Sequence, residues 1–100
     1  MGLKELCKLI APRMHNQVYD FIMYLRKAGE TGRTKQEIME ELAISKKQFE
    51  KISKKLREIG LLQNYRNSNR IAHYYLSFEG FNMWLKMLRD TVYNLIKRER

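Results

Sequence analysis

The stretch from Ser45 to Gly60 constrains the fold of this chain more than any other segment. Its apolar residues recur at the spacing of one helix face: Phe49, Ile52, Leu56 and Ile59. At about 100° per residue, three lysines fall on the opposite face: Lys47, Lys51 and Lys54. Ser45 and Gln48 form a capping-box pattern, and Gly60 suits a left-handed helix terminus. The stretch therefore predicts a short helix with an apolar back and a lysine front.

The charge of the whole chain agrees with that lysine front. The 100 residues include 20 Lys and Arg against 11 Asp and Glu, which leaves a net charge of +9. A surface this basic favours polyanions, such as nucleic acid or anionic lipid. No run approaches the ~20 apolar residues of a membrane span, and the N-terminus with acidic Glu5 is unlike a signal peptide. The single cysteine, Cys7, allows no disulfide within the chain and at most one between subunits. We therefore expect a cytoplasmic, nucleoid-associated protein that binds no membrane.

The residues before Ser45 predict three further helices. Apolar residues at helical spacing predict an N-terminal helix within residues 1–11, which Pro12 interrupts, and a second helix from about 13 to 28. Thr34, with Glu37 three residues later, forms another capping-box pattern and begins a third helix. Two short helices joined by a tight turn, the second one basic, give residues 34–60 the outline of a helix-turn-helix.

The periodicity changes after Gly60. Residues 61–66 and 70–76 read as two strands rich in Tyr, Leu and Ile, and the residues between them tolerate a tight turn. We therefore predict a two-stranded hairpin within residues 61–76. Side chains alternate along a strand, and we expect Tyr74 and Leu76 to face the core.

Ser77 can cap a last helix over residues 77–100. Its apolar stripe lies close to heptad spacing: Phe81, Trp84, Leu85, Leu88, Val92, Leu95 and Ile96. Met83 and Met87 lie off this stripe, so we expect one side to close the core and the other to contact a partner subunit. The sequence predicts a homodimer with an interface made of Leu3, Leu6, Ile10, Met83, Met87, Leu88, Val92, Leu95 and Ile96.

Two local signatures resemble those of winged helix-turn-helix proteins. Leu56-Arg57-Glu58-Ile59-Gly60-Leu61-Leu62 looks like the exit of a recognition helix into a wing. Tyr74-Tyr75-Leu76-Ser77-Phe78-Glu79-Gly80 resembles the signature that begins the final helix of MarR- and PadR-like regulators, with serine in place of threonine. Small winged-helix proteins of archaea and their viruses are also similar in size and in their long terminal helix.

The resemblance covers residues 13–100 and implies an α+β, mainly α fold. That fold is a winged helix-turn-helix with a two-stranded β-wing and a long C-terminal helix, in a single domain over residues 1–100. The resemblance also implies double-stranded DNA as the partner, with the basic helix in the major groove and the wing on the backbone or minor groove. The implied DNA-binding residues are Thr34, Lys35, Gln36, Ser45, Lys46, Lys47, Gln48, Lys51, Lys54, Arg66, Asn67, Ser68, Asn69 and Arg70.

We expect a sequence-specific transcription regulator, with several alternatives open. Lysine is a point charge and Gln48 is the one potential adenine reader on the front, so a non-specific architectural protein is an alternative. A protein-interaction winged helix and an RNA-binding protein are others. Glu50 either disfavours wrong sequences or pairs with Lys46 or Lys54 along its helix. No metal-ligand spacing, phosphate loop or nucleophile motif is present, so we expect no metal, cofactor or enzymatic activity, and the sequence reveals no effector site.

Overall fold

The computed structural model describes residues 2–98 and has the predicted helices and hairpin in the predicted order, with one further short strand and a 3-10 turn. The helices are α1 (Leu3–Ile10), α2 (His15–Ala28), α3 (Lys35–Leu42), α4 (Lys46–Glu58) and α5 (Phe78–Arg98). The strands are β1 (Arg33–Thr34), β2 (Leu62–Arg66) and β3 (Ala72–Leu76), and a 3-10 turn spans Gly29–Thr31. Met1 and residues 99–100, at the ends of the predicted first and last helices, lie outside the described residues.

Both predicted capping boxes are present, and they fix where α3 and α4 begin. The Thr34 hydroxyl accepts a hydrogen bond from the Glu37 N–H at 3.2 Å, and the Glu37 carboxylate accepts one from the Thr34 N–H at 2.9 Å. Ser45 and Gln48 make the same reciprocal pair at 3.1 and 2.8 Å. Between the two helices, Ala43 adopts the left-handed conformation with φ 51°, which lets the chain turn within two residues. The predicted helix-turn-helix is confirmed.

The core lies where the apolar faces of the first four helices meet. Its buried residues are Cys7, Ala11, Val18, Phe21, Ile22, Leu25, Ile38, Phe49, Ile52, Leu56 and Leu62. Phe49, on the back of α4, packs its ring 5.8 Å from that of Phe21 and 5.4 Å from that of Tyr74, between centroids. Tyr74 and Leu76 pack against this core, as predicted.

The sheet has three strands, whereas the sequence predicted two. The strand order is β1-β3-β2, and both pairs are antiparallel. Arg33 pairs with Tyr74 and Thr34 pairs with His73. A strand of two residues is too short for alternation to show in the sequence, and Thr34 also serves as the cap of α3. The hairpin of β2 and β3 itself is confirmed.

Helix α5 does not close the core, which corrects the prediction for one of its two sides. None of its described residues is buried, and every residue from 85 to 98 is exposed. Phe81 and Trp84 are half-buried, and with Leu6 and Ile10 of α1 they line an apolar groove. An apolar stripe shows that a helix face needs cover, but it does not show which surface covers it.

Two glycines hold the start of α5 against the exit of α4. Gly60 has φ +76° and faces Gly80 so closely that a Cβ on either residue would overlap the carbonyl group of the other. The Gln63 amide donates to the Gly60 carbonyl at 3.2 Å, and the Ser77 N–H donates to the Leu61 carbonyl at 2.8 Å. Both glycines belong to the two sequence signatures, so the signatures encode this junction between helices.

Replacing Gly80 with alanine should destabilise the protein, although alanine is the better helix former. The added methyl group would meet the Gly60 carbonyl and the Gln63 amide, and overpacking of this kind costs about 1–3 kcal/mol. Urea denaturation measures the free energy of unfolding. Asn82→Ala, at an exposed position on the same helix, is the control and should be neutral or slightly stabilising. Equal stability of Gly80→Ala and the wild type would contradict the proposed role of the junction.

Candidate nucleic-acid interface

Four lysines on α4 form an exposed surface, which we call the lysine front: Lys46, Lys47, Lys51 and Lys54. The opposite side of α4 is buried through Phe49, Ile52 and Leu56, which fixes the rotation of the helix about its axis. Within residues 2–98, the ion pairs are Lys35–Glu50 and Arg89–Asp90. The lysine front therefore has no acidic partner in this part of the chain, and its ammonium groups face solvent.

Arg57 extends the same exposed surface and was not among the predicted residues. It lies one turn after Lys54, and its Nε donates a long hydrogen bond of 3.4 Å to the Ser53 carbonyl. Its spacing from Lys54 and Glu50 is that of one helix face, and this signal could have identified it from the sequence.

The three residues predicted to contact phosphate at the start of α3 have partners within the protein. The Lys35 ammonium lies 2.6 Å from a Glu50 carboxylate oxygen. The Gln36 amide donates to the Glu40 carboxylate at 2.7 Å. The Thr34 hydroxyl belongs to the capping box. Each side chain keeps a further donor for a phosphate, because the ammonium has three N–H groups, the amide has two, and the hydroxyl accepts in the cap and still has its O–H.

The partner of Glu50 is Lys35, and the prediction of a pair with Lys46 or Lys54 was wrong. Glu50 lies on the edge of α4 that faces the start of α3, so the contact joins two helices. The hydrogen bond and charge of Lys35, followed by the charges of Lys46 and Arg57, lower the pKa of the Glu50 carboxyl below its ordinary value. A carboxylate therefore stays ionised beside the lysine front.

Gln48 is held by the helix cap. Its side-chain oxygen accepts the Ser45 N–H at 2.8 Å, and the Ser45 hydroxyl accepts the Gln48 N–H. A bidentate contact with adenine needs both the oxygen and the amide nitrogen of the side chain. While the capping box is intact, a bidentate contact with adenine would have to share the Gln48 oxygen with the Ser45 N–H.

Asn67 organises the tip of the wing. Its side-chain oxygen accepts the N–H groups of Asn69 and Ile71, both at 3.0 Å. Its amide nitrogen lies 3.2 Å from Nε2 of His73, and because the oxygen is already committed, this nitrogen is the donor. The side chain of Asn67 is therefore structural, whereas Ser68 and Asn69 beside it are exposed.

Two exposed arginines flank the wing tip, as predicted. Arg66 donates from Nη1 to the Arg70 carbonyl at 2.7 Å, which leaves other N–H groups of its guanidinium directed outward. Arg70 has φ +62°, a conformation that costs a residue other than glycine about 1–2 kcal/mol. Keeping a long cationic side chain at a strained position makes Arg70 a candidate binding residue.

Tyr65 connects the wing to the body of the domain. Its hydroxyl donates to the Thr31 carbonyl at 2.8 Å, and its ring stacks on that of His73 at 5.3 Å between centroids. These contacts fix the position of the wing relative to the 3-10 turn.

Cys7 is fully buried, and burial raises the pKa of its thiol. In this fold the thiol is enclosed by the core and cannot reach a second subunit.

Among the described residues, no three His, Cys, Asp or Glu side chains come together as a metal site. Within residues 2–98, no helix combines the length and apolar character needed to cross a membrane.

These elements together define a MarR-like winged-helix fold. The chain is similar to the crystal structure of MepR, a transcription regulator of the Staphylococcus aureus multidrug efflux pump MepA. The TM-score is 0.62 at 17% identity, over 96% of this chain and 75% of that chain. A phenylalanine-to-leucine variant of S. aureus MepR bound to an oligodeoxyribonucleotide gives a TM-score of 0.60 at 15% identity, over 95% and 74% of the two chains. No protein-family model matches the sequence, and no curated protein matches it.

The acid stability of the protein should depend on Glu37. The hydrogen bond from the Thr34 N–H lowers the pKa of the Glu37 carboxyl, so the folded protein binds this proton less readily than the unfolded chain does. The resulting stability is present above the ordinary glutamate pKa of about 4.3 and is lost as pH falls through the lower folded value. Glu37→Gln keeps an oxygen that can accept the same bond, as Gln48 does, but it does not titrate.

We therefore expect the stability of Glu37→Gln to fall less steeply than that of the wild type between about pH 5 and 3. Urea denaturation at a series of pH values measures the slope. Glu41→Gln, at an exposed position on α3, is the matched control and should keep the wild-type slope. A Glu37→Gln slope equal to that of the wild type would contradict the assignment.

Proposed function

We propose that this protein is a transcription regulator that binds double-stranded DNA as a homodimer. The observation that carries the proposal is the lysine front, which the buried back of α4 holds outward and which has no acidic partner in residues 2–98. A DNA-bound structure of MepR with the same fold supports it. The same proposal implies a cytoplasmic, nucleoid-associated protein.

In this proposal, α4 enters the major groove, which is wide enough to admit a helix. The lysine front contacts phosphates and base edges there. The wing contacts the backbone or minor groove through Arg66 and Arg70, together with Ser68 and Asn69. Lys35 and Gln36 contact phosphate through the N–H groups that their acidic partners leave free. Thr34, Ser45, Gln48 and Asn67, which were also predicted to bind, contribute mainly by holding these elements in place, because their side chains are engaged internally.

The homodimer is proposed to form through α5. Its exposed apolar residues include Met83, Met87, Leu88, Val92, Leu95 and Ile96, so the described part of one chain leaves these side chains uncovered. On α1, Leu3 and Ile10 pack on the chain's own core, whereas Leu9 is 68% exposed and was missed by the sequence analysis. Leu6 and Ile10 line the groove between α1 and α5, where a partner subunit would extend the interface.

A non-specific architectural role is the second candidate. It is favoured by the side chains of the lysine front, which are point charges without the fork of an arginine, and by the engaged oxygen of Gln48. Sequence selectivity distinguishes the two candidates. Competition of a duplex selected from a random pool against unrelated duplexes measures it, and equal affinity for all duplexes would favour the architectural role.

Charge reversal of Lys47→Glu with Lys51→Glu should abolish DNA binding at physiological salt, with residual binding only at low salt, and should not unfold the protein, because both side chains are exposed. If each lysine contacts one phosphate in both subunits, the loss of four contacts should reduce the slope of log K against log salt by up to about four. Fluorescence anisotropy with a labelled duplex at several salt concentrations measures both quantities.

The matched control is Lys8→Glu with Lys27→Glu, which makes the same change in net charge at exposed positions on α1 and α2. Salt screens the interaction of charges that lie far from the bound DNA, so this control should retain most of the affinity for DNA. If the two double variants lose affinity equally, the lysine front is not the binding surface.

Leu88→Glu with Leu95→Glu should convert the dimer into a folded monomer. Both side chains are exposed in the single chain, so the substitutions leave its core intact, but they would place four carboxylates in the proposed interface. Sedimentation equilibrium measures the mass, and circular dichroism confirms the fold. Asn94→Glu, at an exposed polar position of α5, is the control and should remain dimeric. A wild type that is monomeric at all concentrations would refute the dimer.

A further inference from the structure

Glu50 is an acceptor on a surface that otherwise carries positive charge. The charges that act on its carboxylate are those of Lys35 on α3 and of Lys46 and Arg57 on α4. Its side chain is 51% exposed, so the carboxylate can contact a ligand without any rearrangement of the core. The surface it occupies is the one proposed above to enter the major groove, and the inference that follows rests on that proposed function.

The Glu50 carboxylate is contacted by Lys35 of α3, and Lys35 is itself placed by groups of both helices. Lys35 is the first residue of α3, and the Thr34–Glu37 capping box fixes the start of that helix. The Lys35 ammonium lies 2.6 Å from the Glu50 carboxylate and 5.3 Å from the centroid of the Phe49 ring. Phe49 is itself buried in the core next to Glu50 in the chain. Lys35 therefore orients Glu50 along the edge of α4 that faces α3.

A carboxylate and a lysine ammonium favour different bases, because the carboxylate only accepts hydrogen bonds and the ammonium only donates them. An ionised carboxylate only accepts hydrogen bonds, so it is repelled by phosphates and by the acceptors of guanine and thymine. In the major groove, cytosine and adenine both present an amino donor, but the N7 acceptor of adenine lies beside its amino group and repels a carboxylate, so cytosine is the base that glutamate recognises. We propose that Glu50, positioned by Lys35, is a specificity-determining residue that selects a cytosine at one position of each half-site.

In this proposal, the positive charges of α4 provide affinity and its carboxylate at Glu50 provides selectivity. The lysine front attracts any duplex, because phosphate contacts carry no sequence information. Glu50 lowers the affinity for every duplex that lacks a suitable donor at its position, and specificity obtained by penalising wrong partners is a common arrangement. Removal of its charge should therefore strengthen binding to unrelated duplexes and weaken discrimination among them.

The test is selection of duplexes from a random pool by wild-type protein, Glu50→Gln and Glu58→Gln. We expect wild-type sites to carry a cytosine at one position of each half-site, and we expect Glu50→Gln to lose that preference. For the selected duplex against one with this cytosine replaced, the ratio of Kd values should fall about tenfold in Glu50→Gln. Glu58→Gln removes the same charge at an exposed position of α4 without an ion pair in residues 2–98, and it should keep the wild-type ratio.

Variants of Lys35 test its positioning role through the same ratio. Lys35→Met should reduce the ratio, whereas Lys35→Arg, which keeps a cation beside the carboxylate, should preserve most of it. Circular dichroism and thermal unfolding confirm that each variant is folded. A ratio unchanged in Lys35→Met would refute the role of Lys35.

The outcomes separate this inference from the proposed function. If the wild type binds no duplex DNA, the proposed function fails and the inference fails with it. If the wild type binds DNA but Glu50→Gln selects the same sites, or Glu58→Gln changes them equally, Glu50 does not determine specificity. In those cases the proposal of a DNA-binding protein stands.

Discussion

Burial of the apolar back of α4 is the interaction on which the rest of the structure depends. Phe49, Ile52 and Leu56 are each at most 1% exposed, and complete burial of such a side chain is worth about 1.5–3 kcal/mol. Rotation of α4 by half a turn would expose all three and bring the lysines towards an apolar interior, where an unpaired charge is far more costly. The outward direction of the lysine front is therefore a consequence of the core, and the same ring of Phe49 contacts both α2 and the wing through Phe21 and Tyr74.

Local patterns predicted the helices, both capping boxes, the hairpin and the exposed lysines, because each of these depends on residues within a few positions of one another. Contacts between distant segments were missed. The Lys35–Glu50 pair joins two helices whose relative placement no spacing reveals, and β1 is only two residues long. Asn67 was predicted both to form the turn and to contact DNA, and the geometry shows that its side-chain oxygen is used by the turn.

The junction between Gly60 and Gly80 explains why α5 leaves the domain without packing on its core. The contact is made by backbone at the first turn of α5, so it sets the direction of the helix while burying little of its apolar surface. At 21 residues, α5 is roughly 30 Å long, and all of its residues from 85 to 98 are exposed. In the proposed dimer, a second copy would cover this helix without any change in the core, so assembly would be separable from folding of the domain.

The Lys35–Glu50 pair also changes how the charge of the surface should be counted. Taken residue by residue, the start of α3 and the front of α4 offer five lysines, but the carboxylate neutralises Lys35 at 2.6 Å in the free protein. An exposed ion pair of this kind contributes little to stability, typically less than about 1 kcal/mol, so it can open when a stronger partner approaches. The Lys35 ammonium contacts Oε1 of Glu50, so Oε2 remains to accept a cytosine amino group while the pair is intact, whereas a phosphate near Lys35 would compete for the ammonium and weaken its hold on Glu50. The two contacts are therefore coupled through one shared bond, and the energy of reading a base depends on where the backbone lies.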